Sequence, residues 1–178
     1  RWLPVRKSEK YAAQIFWKFS KRQGVKLPKP IFQNKKANGR ILSKIKSISL
    51  DNNIRLMLKY SNNLMAEAIG LKATQKIAGK PKTLKASAGN MQNRLESKIG
   101  KTKVKLIDHS GLGDGSSISS FELVKLLENS GWQGSIYNYM SDYRLKKTNS
   151  AILKNYTNKV KVKTGSLNFV SNVAGYIE

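Results

Sequence analysis

The sequence contains no cysteine and a single histidine, His109. Disulfide scaffolds, thiolate zinc sites and thiol catalysis are thereby excluded, and no histidine-rich metal centre can be built. Acids are also scarce: ten Asp and Glu stand against 34 Lys and Arg, a formal net charge of +24. Charge of this size bears on partners rather than on fold, and it favours anionic polymers. No apolar run comes near the roughly 18 residues that a spanning helix needs, and no charged-then-apolar leader is recognisable. Internal repeats and low-complexity linkers are missing too, so residues 1–178 are read as part of one domain with no internal boundary. What is present is a chain of 178 residues, 39% apolar, which suffices for one globular core. It opens at Arg1 and stops at Glu178 inside an apolar, strand-like run, and is therefore expected to be an excerpt of a longer protein.

The positive charge is uneven. Residues 1–50 hold 14 Lys and Arg and one acid, more than half of the net charge. The densest part, Lys18 to Lys46, mixes lysine with Asn, Gly, Pro28 and Pro30 and reads as loop and edge. Such a stretch is either a solvated face or a surface for anions.

Apolar spacing predicts the elements. Tyr11 to Gln23 carries Ala12, Ile15, Phe16 and Phe19 at helical spacing, with Gly24 as a stop. Arg40 to Ser49 has Ile41, Ile45 and Ile48 in imperfect alternation and is read as a strand. Ile54 to Leu71 is the strongest helix pattern, closing near Gly70. It is interrupted by Ser61, Asn62 and Asn63, which compete for backbone hydrogen bonds; three together require either a break between two helices or a functional reason. Met91 to Ile99 reads as a short helix, Val104 to Ile107 as a strand and Asp108 to Ser117 as a glycine-rich turn. Ser119 and Glu122 form a capping-box pattern opening a helix over Phe121 to Asn129, with Leu123, Val124, Leu126 and Leu127 inward and Gly131 beyond. Ile136 to Tyr156 is expected to be helical in part. Val160 and Val162 alternate with Lys161 and Lys163, Gly165 to Asn168 should turn, and Phe169 to Ile177 should pair back within a larger sheet.

Two short motifs carry chemistry. Lys163-Thr164-Gly165, at a strand end, presents an ammonium, a hydroxyl and an unobstructed backbone at a sheet edge, where a peptide can add as a strand and its carboxylate meet the lysine. Ser61-x-Asn63 places a hydroxyl and an amide in the polar interruption of a helix. Each triplet is commonplace alone; their joint occurrence about a hundred residues apart, on suitable elements, is not. With "IRLMLKYSNNLMAEAIG" and "KVKTGSLNFVSNVAGYI", the segments "YAAQIFWKFSKRQGVKLPKPI" and "LIDHSGLGDGSSISSFELVKLLE" complete an ordered set of four. In that set the chain resembles the serine D-alanyl-D-alanine carboxypeptidases and endopeptidases, the low-molecular-mass class C penicillin-binding proteins.

The resemblance implies an α/β (α+β) fold of the β-lactamase and transpeptidase type, an antiparallel sheet packed by helices, here the C-terminal part and incomplete at both ends. It implies acyl transfer on peptidoglycan stem peptides and reaction with β-lactams, in the periplasm or otherwise outside the membrane, with no metal or other cofactor. In the family's pattern the nucleophile is the serine of a Ser-x-x-Lys motif upstream of everything seen here. The one such spacing in this chain, Ser43-x-x-Lys46, has the wrong order and the wrong element. Of the residues present, Ser61 would relay a proton to the departing amine, Asn63 would hold the substrate amide and the upstream lysine, and Lys163 would supply positive field for the substrate carboxylate. Thr164 would donate to the same carboxylate, Gly165 would allow close approach, and the Ser166 N–H would be half of an oxyanion hole.

Rival patterns are poorer. Gly111, Gly113 and Gly115 lack the lysine and spacing of a phosphate loop and read as a turn. His109 beside Asp108 could enter a catalytic triad, though a lone histidine at a turn is more often structural. Trp2, Trp17 and Trp132, with the basic charge, suit a nucleic-acid-binding module, but no recognised motif accompanies them and no specific nucleic acid is expected. A catalytically inactive wall-binding homologue is the third reading.

Overall fold

The computed structural model describes residues 5–33, 39–132, 134–143 and 160–178. Two compact units divide the chain at Lys46 and Ser47.

The first unit is built on α1 (Ser8–Arg22), with Glu9 in its first turn and Lys21 and Arg22 in its last, charges that suit the helix dipole at both ends. Gly24 follows with φ of 77°, a left-handed stop. The indole N–H of Trp17 donates to the Leu27 carbonyl at 2.9 Å and ties the returning chain to the helix. Ala13, Ile15 and Trp17 are half-buried, whereas Phe16 and Phe19, expected inward, are exposed; Phe19 lies under the Arg22 guanidinium. The strand expected over Arg40 to Ser49 does not form. The chain there is irregular, and Ile41 and Ile45 are exposed, with no strand partner among the described residues to reward an extended ladder. Ser43 and Lys46 lie in this exposed stretch.

In the second unit, α2 (Leu50–Tyr60), α3 (Asn63–Ala78), α4 (Leu84–Ile99), α5 (Ser120–Ser130) and α6 (Ser135–Tyr139) accompany a three-stranded antiparallel sheet ordered β1 (Ser141–Asp142), β2 (Val160–Leu167), β3 (Val170–Ile177). Helix starts follow capping chemistry: Ser49, Asn62, Thr83 and Ser119 each accept a backbone N–H of the first turn, and Ser119 with Glu122 makes the expected capping box. Leu127, Tyr137, Met140 and Tyr176 form a small core where α5, α6 and β3 meet. The Tyr176 hydroxyl reaches the Leu127 carbonyl at 2.8 Å, and Trp132 packs against the rings of Tyr137 and Tyr176. These tilted and edge-on contacts tie the indole to the core and leave about half of it exposed; Trp2 lies outside the described residues.

Several expectations are corrected. The helix does not close at Gly70 but runs on to Ala78, because Gly70 accommodates the His109 ring: a Cβ there would stand 2.2 Å from His109 Cγ. The Met91 to Ile99 helix starts earlier, at Leu84. Val104 to Ile107 is not a strand, since side chains take its backbone groups. Gln92 accepts from the Leu106 N–H and Ser116 from the Ile107 N–H, leaving one bridge between Lys105 and Ser117. Val124 faces out, as its position on α5 lies off the stripe of Leu123 and Leu127. The turn expected over Gly165 to Asn168 is only Asn168 and Phe169, because eight paired positions run from Val160↔Ile177 to Leu167↔Val170. Lys163-Thr164-Gly165 is therefore mid-strand. Within Ile136 to Tyr156 the described part is α6 and β1; residues 144–156 lie outside the described residues.

Candidate active site

The polar triplet that interrupts the helix pattern makes a sharp joint. Ser61 ends α2 in the left-handed region, φ 50° and ψ 48°, the one non-glycine residue with positive φ among those described. For an L-residue this costs roughly 1–2 kcal/mol. Both the Ser61 and Asn62 N–H groups bond the Met57 carbonyl, closing α2. The Asn62 side chain accepts the Met65 N–H at 3.0 Å and opens α3. Asn63 is the first residue of that helix. The polar triplet is thus a break between two helices, and the joint turns the Ser61 and Asn63 side chains into one cleft.

The opposite wall is β2. Lys163, paired with Ala174, extends over the sheet toward the joint, and its Nζ donates to Ser61 Oγ at 2.8 Å. It also donates to the Thr164 carbonyl. Partial burial lowers the Lys163 pKa from its ordinary value, since removal from water disfavours the ammonium. With lysine as donor, the Ser61 hydroxyl keeps its own proton to give to a third group.

The edge of β2 matters as much as its side chains. β1 pairs only with Lys161 and Val162, and no further strand pairs with the rest of that edge among the described residues. The Val160 carbonyl accepts the Tyr143 N–H at 2.8 Å, on the β1 side. Backbone groups alternate sides along a strand, so those of Thr164 and Ser166 face the same edge, beyond the end of β1. The cleft of about 610 Å³ beside this edge is lined by Ser61, Asn63, Lys163, Thr164, Gly165 and Ser166. All six residues named from the sequence thus share one wall system. Its floor is apolar: Leu123, Leu126, Leu127, Ile136, Met140 and Ala174.

A third wall escaped the sequence reading. Ser110, Gly111 and Leu112 of the glycine-rich turn line the cleft. The Asp108 carboxylate folds this turn by accepting the Gly111 and Gly113 N–H groups at 2.7 and 2.8 Å. It is not aimed at the His109 ring, which lies against Gly70 and shares a 2.8 Å hydrogen bond with Ser87 Oγ. Ser87 in turn donates to Thr74 Oγ1 at 2.7 Å. The histidine is structural and the triad reading is set aside. Glu67 was missed as well; its position four residues after Asn63, on the same helix face, was the available signal.

The profile of the D-Ala-D-Ala carboxypeptidase 3 (S13) family matches residues 1–178. No curated protein matches the chain. Among solved structures it is similar to penicillin binding protein 4 from Haemophilus influenzae, crystallised with a novel β-lactam, with a TM-score of 0.75 and 22% sequence identity. That likeness covers 98% of this chain and 42% of the other, and at such identity it speaks for the fold, a helix and antiparallel-sheet architecture of the penicillin-binding type. With the family profile matched from end to end, the chain belongs to the D-Ala-D-Ala carboxypeptidase 3 (S13) family.

Proposed function

We propose that this chain is the part of a serine D-Ala-D-Ala carboxypeptidase or endopeptidase that bears its second and third active-site motifs, and that a serine upstream of Arg1 supplies the nucleophile. The observation that carries the reading is the 2.8 Å hydrogen bond from Lys163 to Ser61, two residues 102 positions apart in the chain. Spacing alone does not bring an ammonium and a hydroxyl together at a strand edge. Exposed apolar residues along the cleft support the missing nucleophile: an upstream element that covers Leu112, Leu167 and Val170 would bring its serine to the polar mouth.

In this reading a stem peptide lies as a strand along the edge of β2. The upstream serine oxygen attacks the carbonyl of the penultimate D-Ala and gives its proton to the upstream lysine. The carbonyl oxygen, now anionic, takes the Ser166 N–H and the N–H of the serine itself. As the carbon–nitrogen bond breaks, Ser61 passes its proton to the departing amine and takes one from the upstream lysine, which holds the nucleophile's proton, while the Lys163 ammonium stabilises the hydroxyl oxygen in transit. Lys163 and Thr164 hold the C-terminal carboxylate, and Asn63 holds the substrate amide. Water then cleaves the acyl-enzyme by the reverse traffic of protons. The substrate places the enzyme in the periplasm or elsewhere outside the membrane.

The test is intact-mass and peptide-mapping analysis of the full-length protein after incubation with a penicillin. A stable adduct on a serine outside residues 1–178 is expected. An adduct on Ser43 or Ser61 would overturn the assignment of roles, and no adduct on a protein that contains the upstream motif would favour an inactive wall-binding homologue.

A further inference from the structure

Helix α3 does more than present Asn63. Four of its residues, Asn63, Glu67, Gly70 and Thr74, fall on one stripe at helical spacing, and each has a separate task. Asn63 faces the cleft. Glu67 accepts backbone N–H groups of the glycine-rich turn: Oε1 from His109 at 3.2 Å and from Ser110 at 3.1 Å, and Oε2 from His109 at 3.3 Å. Gly70 leaves room for the His109 ring. Thr74 receives the Ser87 hydroxyl, which itself meets the ring at 2.8 Å.

The segment held in this way continues into a wall of the cleft. Ser110, Gly111 and Leu112 line the same space as Ser61, Asn63 and Lys163. A turn with glycine at 111, 113 and 115 has little side-chain packing of its own, so its place depends on what binds its backbone. Asp108 ties the turn internally, through Gly111 and Gly113, and does not fix it to a helix. Glu67 does, through a carboxylate, whose hydrogen bonds from N–H groups are the stronger kind. One helix thereby sets both the second-motif amide and the third wall of the cleft.

We propose that Glu67 is a positioning residue for the reaction described above: it fixes the 108–113 turn against α3 and so sets the width of the substrate cleft. The inference rests on that reading of the site. Loss of the carboxylate frees the wall without touching Ser61, Asn63 or Lys163. Substrate capture suffers more than the chemical step, so KM for a D-Ala-D-Ala peptide rises more than kcat falls.

The experiment compares wild type, Glu67→Gln, Glu67→Ala and Thr83→Ala in the full-length protein. Thr83→Ala removes the cap of α4 and lowers stability while leaving the Glu67 and Asp108 hydrogen bonds to the turn in place. Each variant is measured for melting temperature, penicillin acylation rate, the KM and kcat split, and hydrogen exchange at residues 109–113. Expected are a tenfold or greater fall in acylation for Glu67→Ala, a smaller fall for Glu67→Gln, which keeps one acceptor oxygen, and faster exchange of the turn in both. Thr83→Ala should stay within threefold of wild type. Folded Glu67 variants that acylate and exchange like wild type would overturn the proposal, as would a rate loss in Thr83→Ala equal to theirs. A wild-type protein that takes no adduct would instead sink the proposed function, and the exchange data would still decide whether Glu67 holds the turn.

Discussion

Replacing Ser166 by proline isolates one backbone hydrogen. The N–H of Ser166 faces the edge of β2 beyond β1, on the side where the Val160 carbonyl meets Tyr143. It takes no part in the ladder to β3, and proline is tolerated in a strand where the N–H faces away from the ladder. The residue before it, Gly165, is already extended opposite Asn172, the conformation proline demands of its predecessor. The substitution therefore deletes a donor at little cost to the fold. If that donor is half of the oxyanion hole, its loss costs about 2.7–4 kcal/mol of transition-state stabilisation, a fall of roughly 100- to 1,000-fold. Ser166→Ala is the control, because it keeps the N–H and loses only the hydroxyl. The assay is the pre-steady-state rate of penicillin acylation in the full-length protein, alongside a thermal melt of each variant. A folded Ser166→Pro protein that acylates within tenfold of Ser166→Ala would refute the strand-edge geometry on which the assignment rests.

Other consequences are testable on the same protein. Lys163→Met should lower acylation by roughly 100- to 10,000-fold, the range for loss of a positioned proton-relay partner. Because burial depresses the folded pKa of Lys163, the unfolded chain binds more protons between that value and the ordinary lysine value. Lys163 therefore adds a rise of stability with pH across that interval, and urea midpoints should show a shallower rise in Lys163→Met. Glu122 gives a slope of the same sign from the opposite cause, because the fold favours its charged form. Its carboxyl accepts the Ser119 N–H and hydroxyl and the Lys103 N–H, which hold its pKa down. It stabilises the fold above the ordinary glutamate value, and this contribution is lost as pH falls through the depressed one. The melting temperature of Glu122→Gln should trail wild type at pH 7 and converge with it in acid. Gly70→Ala should drive a methyl into the His109 ring and cost about 1–3 kcal/mol in denaturant unfolding, as overpacking does; an unchanged midpoint would show that the ring is not confined there.

The parts of the fold legible in the sequence are those whose cause is local. The Ser119 and Glu122 capping box, the glycine after α1 and the alternation of Val160 and Val162 are each decided by neighbours a few residues away, and each appears as read. Misreadings cluster where distant groups intervene. Gly70 has the local look of a helix stop, yet α3 runs through it because His109, 39 positions later, needs the space. Val104 to Ile107 has the composition of a strand, yet Gln92 and Ser116 take its N–H groups and no ladder can propagate. Arg40 to Ser49 has apolar spacing but no strand among the described residues to pair with, and spacing without a partner does not make a sheet.

The site divides along the same line. Ser61, Asn63 and Lys163 could be named because short motifs announce them, and the structure adds what no motif contains: the left-handed backbone at Ser61, the 2.8 Å contact and the edge toward which Ser166 points its N–H. Glu67 announces nothing. A lone acid on α3 is compatible with a solvated face, and only the path of the chain 42 and 43 residues later shows that its carboxylate is spent on two backbone N–H groups. In a chain with ten acids against 34 bases, a glutamate that forms no ion pair in the described structure and instead holds a glycine-rich backbone marks where negative charge is needed. A lysine at that position could accept neither N–H, and an apolar residue would leave both buried or wet. The scarcity of acids thus sharpens the reading of each one: Asp108 shapes the turn, Glu67 anchors it, Glu122 starts α5, and all three do so through backbone hydrogens. Two of these carboxylates, Asp108 and Glu67, hold the turn that forms a wall of the cleft.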